Sequence, residues 1–275
     1  QGSETDGLFL YDENGIFLQE SKNPADYALT PNVVYDENYA RGTYNQGTYV
    51  YGYVSKGVPL SLIEVDKNNN IVAEKRGTFI FHEDGTEHFG NVPVVCLSAS
   101  VSDWIGTDKI SGIYNSLSSN LKIRANLEYY NYGAGENFSL NTQVKLGGNY
   151  TKNLPSRTLN LNFKKDENGN KNEKPTADIF NGRKALGTGE AIRGKVKRFR
   201  LHSGGNDAFW SHFNDAFIQR LVSLAETSVA TASYRPCVLY LNGEYWGVYA
   251  LREHYNEDYI EYTFGVDSDD VVYVD

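Results

Sequence analysis

The stretch Arg235-Pro-Cys-Val-Leu-Tyr-Leu-Asn-Gly-Glu-Tyr-Trp-Gly-Val-Tyr-Ala-Leu-Arg-Glu-His-Tyr-Asn-Glu-Asp258 decides how the rest of the chain is read. Two runs rich in aromatic and β-branched residues, Val238 to Leu241 and Glu244 to Leu251, flank Asn242-Gly243. A two-residue type I′ turn needs positive φ at both central positions, which Asn and Gly tolerate, so this pair predicts a tight β-hairpin. The second strand ends on Arg252-Glu253, and Asn256 stands where its side chain can cap the free amides of a following helix. A guanidinium and a carboxylate are thereby held at the end of a rigid strand, a place suited to chemistry. A plain surface ion pair is the competing reading.

With 275 residues and 40% hydrophobic content, the chain can bury a full core, as two domains or as one domain with a β-rich appendage. A net charge of −9 argues against a nucleic-acid partner, because phosphate backbones need a basic face. No apolar run reaches the length of a membrane span, and no signal peptide precedes Gln1. Cys96 and Cys237 each lie in an apolar, strand-like run without metal-ligand spacing, and read as buried thiols instead of a disulfide or a nucleophile. The chain contains no methionine and opens on Gln-Gly-Ser, which points to a piece trimmed from a longer reading frame.

Residues 1–91 carry short alternating runs such as Leu8 to Tyr11, Tyr49 to Val54 and Leu60 to Val65, the pattern of a small antiparallel β module. The loop Asp66-Lys-Asn-Asn-Asn70 between apolar runs predicts a hairpin. His82, Glu83, Asp84, Glu87 and His88 invite a metal reading, but no periodic scaffold orients them and a solvated linker is preferred. From Val92 a new unit begins with Val-Pro-Val-Val-Cys-Leu-Ser98, followed by Ser111-Gly-Ile-Tyr114. Strands are expected over Leu121 to Tyr130, Phe138 to Leu146 and Thr158 to Phe163, with Leu159, Leu161 and Phe163 facing one way and Thr158, Asn160 and Asn162 the other.

Between two of these strands, Gly147-Gly148 opens a loop that carries Lys152 and Arg157. Glycines let backbone amides approach phosphate oxygens and the two cations neutralise their charge, although a simple Gly-Gly turn with solvated cations has the same signature. Residues 164–197 read as a mixed-charge solvated insertion. Val196 to His202 is a strand, Ser203-Gly-Gly-Asn-Asp207 a turn, and Trp210, Phe213, Phe217, Leu221 and Leu224 recur at helical spacing as a core-facing stripe. A final strand is expected over Val271 to Val274. Asp267, Asp269 and Asp270 before it lack the register of a calcium loop and read as a solvated turn.

Four of these motifs, in order, give the chain its resemblance to the CotH family of atypical protein kinases, known from spore coats and secreted bacterial proteins. They are Gly112-Ile-Tyr114, the Gly147-Gly148 loop, Arg198-Phe-Arg-Leu-His-Ser-Gly-Gly-Asn-Asp207, and Asn242-Gly-Glu-Tyr-Trp-Gly247 followed by Leu251-Arg-Glu253. The resemblance implies an α+β fold, mainly antiparallel β with a few packed helices, over residues 92–275, preceded by the β-rich module of residues 1–91. It implies ATP with Mg or Mn as cofactors, a protein substrate, and nucleotide-binding residues at Gly147, Gly148, Lys152, Arg157, Asn214 and Glu253, the last by pairing with a phosphate-binding cation. The catalytic and metal-binding aspartates of the family are expected downstream of Asp275, so no catalytic or metal residue is assigned within this chain.

The sequence departs from the family pattern at Gly147, where the family carries Arg, at Arg157, where it carries Lys, and at Phe213, which replaces an Arg. Arginine and lysine differ in how they hold a phosphate. These departures keep a second class of function open, a secreted, cell-surface or spore-coat protein whose CotH-like domain serves adhesion or coat assembly with structural partners. A third reading, a glycosidase using paired carboxylates, has little in its favour because the acidic pairs fall in polar loops.

Overall fold

The Asn242-Gly243 turn carries φ of 46° and 80°, the two positive values expected of it. It joins the last two strands of a closed seven-stranded barrel. This architecture comes from a computed structural model that describes residues 5–12, 17–21, 41–44, 47–50, 57–80, 89–104, 112–116, 120–154, 156–165, 172–208, 210–225 and 229–272. The candidate metal cluster at residues 82–88 and the end of the expected last strand, residues 273 and 274, lie outside them.

In the N-terminal part, β1 (Thr5–Asp12), β2 (Phe17–Ser21), β5 (Gly57–Asp66) and β6 (Ile71–Ile80) form an antiparallel sheet in the order β2-β1-β5-β6, while β3 (Arg41–Tyr44) and β4 (Gly47–Val50) pair separately. The loop between β5 and β6 closes on Asp66, whose carboxylate accepts the backbone amides of Asn68 and Asn70 at 2.8 and 2.9 Å, with Asn69 at φ 62°.

The barrel is built from β7 (Val94–Ser98), β8 (Ile123–Asn131), β9 (Glu136–Leu146), β10 (Leu159–Asn162), β11 (Arg198–His202), β12 (Tyr234–Leu241) and β13 (Glu244–Glu253). Its order is β10-β11-β13-β12-β7-β8-β9, and β9 pairs with β10 to close it. Six pairings are antiparallel and one, β12 with β7, is parallel. The mainly antiparallel α+β expectation holds. Closure was not anticipated, because it depends on the parallel contact between strands more than 130 residues apart, which no local pattern encodes.

Alternation sorts each strand into two faces. Leu97, Leu127, Val144, Leu159, Leu161, Leu201, Leu239 and Leu251 point inward and are essentially inaccessible. Burial of each such side chain stabilises the fold by about 1.5–3 kcal/mol. Short helices α1 (Val101–Trp104) and α2 (Ile113–Ser116) place Trp104, Ile113 and Tyr114 against this core. The hairpin turn is tied to them, since Asn242 Oδ1 accepts from the Ala99 amide (2.9 Å) and Trp104 Nε1 (3.1 Å), and Asn242 Nδ2 donates to the Ala99 carbonyl (2.8 Å).

Two expectations are corrected. Within the insertion at residues 164–197, the described part is no solvated loop, because Ala177, Ile179, Phe180, Ala185, Ile192 and Val196 are buried in the barrel core. These residues follow no period of 2 or 3.6, so they carry no strand or helix signal. The helix after the Gly-Gly turn, α3 (Asn214–Leu224), starts beyond Trp210 and Phe213 of the expected stripe and buries only Ala216. Trp210, Phe217 and Leu224 are 85%, 51% and 60% exposed, so the aromatic stripe faces out of the barrel. Helical spacing reveals an apolar face but not what covers it. The last helix, α4 (Glu257–Phe264), starts as expected, with Asn256 Oδ1 accepting the Tyr259 amide at 3.0 Å, and Gly265 ends it in the left-handed region.

Candidate functional site

The outer face of β9, β10, β11 and β13 is polar and strongly cationic. Lys145 lies directly opposite Asn160, Asn160 opposite Arg200, and Arg200 opposite Arg252, so one row crosses four strands. Asn162 and Arg198 form the next row, and His202 and His254 flank it. Like charges on directly opposed positions repel, and nothing in strand propensity calls for them here.

Two glycine turns border this face. Gly147 donates its amide to the Thr158 carbonyl at 2.8 Å, extending the β9–β10 ladder into the loop. A Cβ at Gly147 would stand 2.9 Å from both Asn160 Oδ1 and Thr158 Cγ2, so a side chain here would have to push those two β10-side groups aside. That accounts for the absence of a larger residue at this position. Beside it, the Thr158 hydroxyl accepts the Ser203 amide and lies 3.3 Å from the Ser203 hydroxyl, which brings the turn at Gly204-Gly205 against the first loop. Gly204 and Gly205 have φ of 88° and 59°, which a side chain would resist. Asn160 Oδ1, between the loops and the cations, is buried and without a hydrogen-bond partner among the described residues.

The electrostatics of the face record its crowding. Burial, and then the charges of Lys122, Arg198, Arg200 and Lys152, push the Lys145 ammonium below the usual lysine range. Among the described residues Lys122, Lys145 and Lys152 form no ion pair with a carboxylate. Burial, followed by Arg252, brings His202 down to about 4, and burial, followed by Arg200, Arg198 and Lys145, brings His254 down to about 4, so both rings are neutral near pH 7. The other cations are partly compensated. Arg198 pairs with Glu257 and Asp258 at 3.1 Å each, the latter carboxylate also taking Lys164 at 2.8 Å, and Arg252 pairs with Asp215 of α3.

The six residues expected to meet a nucleotide have different fates. Gly147, Gly148 and Lys152 lie in the loop beside the cationic row. Arg157 turns away from it: Nε donates to the Leu154 carbonyl at 3.0 Å, Nη1 to the Tyr114 carbonyl, and the guanidinium sits 4.6 Å from the centre of the Tyr114 ring. Asn214 binds Asp207 through both its backbone amide (3.1 Å) and its side chain (3.0 Å), an arrangement that starts α3. Glu253 points into the barrel, where it accepts from Arg183 Nε (3.3 Å), the Ser233 amide (2.7 Å) and the Tyr262 hydroxyl (3.0 Å). Its cation is thus Arg183, from the insertion.

Lys145, Asn160, Arg200 and His254 were not singled out from sequence. The available signal was the alternation that turns Lys145 and Arg200 to the same side as Asn160, but it needs the strand order to become a site. A separate cavity of about 530 Å³ lies where β8, β9 and β12 meet, but its cations are already engaged. Arg193 Nη1 is 2.7 Å from Glu136, and Arg235 Nη1 donates to the Tyr129 hydroxyl and the Asp178 carbonyl. On the cationic face, by contrast, Lys145 and Lys152 form no ion pair with a described carboxylate.

No helix among the described residues is long and apolar enough to cross a membrane. Residues 144–275 match the family model described as CotH kinase protein. The match begins at Val144 within β9, after the Gly112-Ile-Tyr114 motif and the strands β7 and β8. No curated protein matches the chain.

Proposed function

From the match of residues 144–275 to the CotH kinase family model, we propose that the chain supplies the nucleotide-phosphate surface of an ATP-dependent protein kinase. The observation that carries this reading is the row Lys145–Asn160–Arg200 between the two glycine turns, with Lys145 and Lys152 unpaired by any described carboxylate. An incoming polyphosphate relieves the repulsion between these cations, and Asn160 can rotate its amide to donate to a phosphate oxygen. In such a site the protein contributes position and charge stabilisation instead of covalent chemistry.

The cations and the tight glycine turns fit the phosphates of ATP. The fit does not extend to a metal, since among the described residues no group of three His, Cys, Asp or Glu side chains could hold Mg or Mn. A structural role, at a cell surface or in a spore coat, draws support from Arg157, Asn214 and Glu253, all three of which are committed to internal partners.

Thermal unfolding with and without ATP tests the reading. A ligand bound only by the folded chain at a hundredfold excess over its dissociation constant stabilises it by about 2.7 kcal/mol. The shift is expected without added metal and should shrink in Lys145→Ala and Lys152→Ala. If neither ATP nor tripolyphosphate moves the transition at millimolar concentration, the nucleotide reading falls and the structural one takes its place.

A further inference from the structure

We propose that Asp215 is an internal counter-ion for the cationic face, and that a polyphosphate bound there displaces it from Arg252 and releases helix α3. The proposal rests on the nucleotide-phosphate reading of the face and adds its regulation. Arg252 stands in the same cross-strand row as Lys145 and Arg200, directly opposite Arg200. Its side chain is 8% exposed, whereas that of its partner Asp215 is 59% exposed and arrives from outside the barrel on the first turn of α3. Asp215 is also held by Gln219 Nε2 at 3.1 Å, one helical turn on, so the carboxylate is aimed before it meets the guanidinium.

Helix α3 has little else to keep it in place. It buries only Ala216, and its remaining ties to the barrel include Gln219 Oε1, which accepts the Ala232 amide at 2.6 Å and the Tyr255 hydroxyl at 3.1 Å. Phe217, Ile218, Leu221 and Leu224 are all exposed. A phosphate competes with a carboxylate for the same planar donors and brings more charge. Two anions that exclude each other at one guanidinium are coupled, and the coupling is reciprocal: whatever detaches α3 tightens phosphate binding, and bound phosphate detaches α3.

Hydrogen exchange of residues 214–224 and a tripolyphosphate isotherm at constant ionic strength, on the whole chain and its Asp215→Asn and Asp215→Glu variants, test this. In the parent chain, tripolyphosphate should accelerate exchange in α3. Asp215→Asn should exchange fast in α3 with no ligand present and bind tripolyphosphate about fivefold more tightly, whereas Asp215→Glu should behave like the parent. Tripolyphosphate that binds without changing α3 exchange, or Asp215→Asn binding no more tightly than the parent, overturns the displacement and leaves the nucleotide reading standing. Failure of all three proteins to bind overturns both.

Discussion

The barrel presents two outer faces made by the same alternation of the same kind of strand, and they are opposite in chemistry. On the side of β7, β8 and β12, the outward residues Val94, Cys96, Val238 and Tyr240 are buried under Ile80, Phe89, Val92 and Tyr245. One carboxylate, Glu128, lies within this contact, its Oε2 accepting the Thr78 amide (2.8 Å) and the Tyr130 hydroxyl (3.0 Å). On the side of β9, β10, β11 and β13, the outward positions hold Lys145, Asn160, Arg198, Arg200 and Arg252. The first face is covered by the chain itself and is therefore apolar; the second collects like charge, which stability alone would not retain. A barrel wall needs outward residues that are either covered or hydrated, and it is the second condition that the proposed phosphate site draws on.

That contrast breaks most directly at the covered face. Tyr240→Ala should lower stability in urea unfolding by about 3 kcal/mol, because the ring is fully buried among Phe89 and Tyr245; a loss below 1 kcal/mol would mean that this face is not a core. The cationic face should reveal itself through acid. His202 and His254 have folded values lowered to about 4, so the unfolded chain binds more protons between pH 6.5 and 4. Their contribution is complete above pH 6.5 and falls on acidification, on the order of 2 kcal/mol for the pair after allowing for partial exposure. The double variant His202→Gln/His254→Gln should flatten the pH dependence in that window.

Glu128 should act with the opposite sign. Burial raises its carboxyl above the usual range, so its stabilising effect is complete in acid and lost as pH climbs from the ordinary glutamate value through the raised one. Glu128→Gln should therefore gain about 1 kcal/mol at neutral pH and nothing in acid. Midpoints of unfolding for the variant and parent, compared from pH 4 to 8, would contradict this if the gap failed to open with pH. Smallest of all, Lys145→Ala should change stability by less than about 0.5 kcal/mol, although it removes one of the cations of the proposed site. A large loss would assign the row to the fold and not to a ligand.

Local chemistry was legible from sequence wherever one residue type answers one backbone demand. Asn242-Gly243 set the hairpin, Asn256 opened α4, and Leu159, Leu161 and Phe163 chose the inner face of β10 and the segment after it. Long-range placement was not. Arg157, Asn214 and Glu253 are polar residues at motif positions, yet each is satisfied by a partner between 7 and 70 residues away, and no spacing rule anticipates Tyr114, Asp207 or Arg183. The row Lys145–Asn160–Arg200–Arg252 exists only because β9, β10, β11 and β13 are neighbours in that order, a fact of topology. The α3 stripe misled for the converse reason: periodicity shows that a face is apolar, while its burial depends on the remainder of the molecule.

Asn242 has one more consequence, for the ageing of the molecule. Asn-Gly is the dipeptide most prone to lose ammonia, since the unhindered glycine amide can swing onto the asparagine side-chain carbon and close a succinimide ring. Here that side chain is clasped by the Ala99 amide, the Ala99 carbonyl and the Trp104 indole, and ring closure must first break all three contacts. The chemical lifetime of the turn is thereby handed from the reactivity of two residues to the rate at which this corner of the barrel opens.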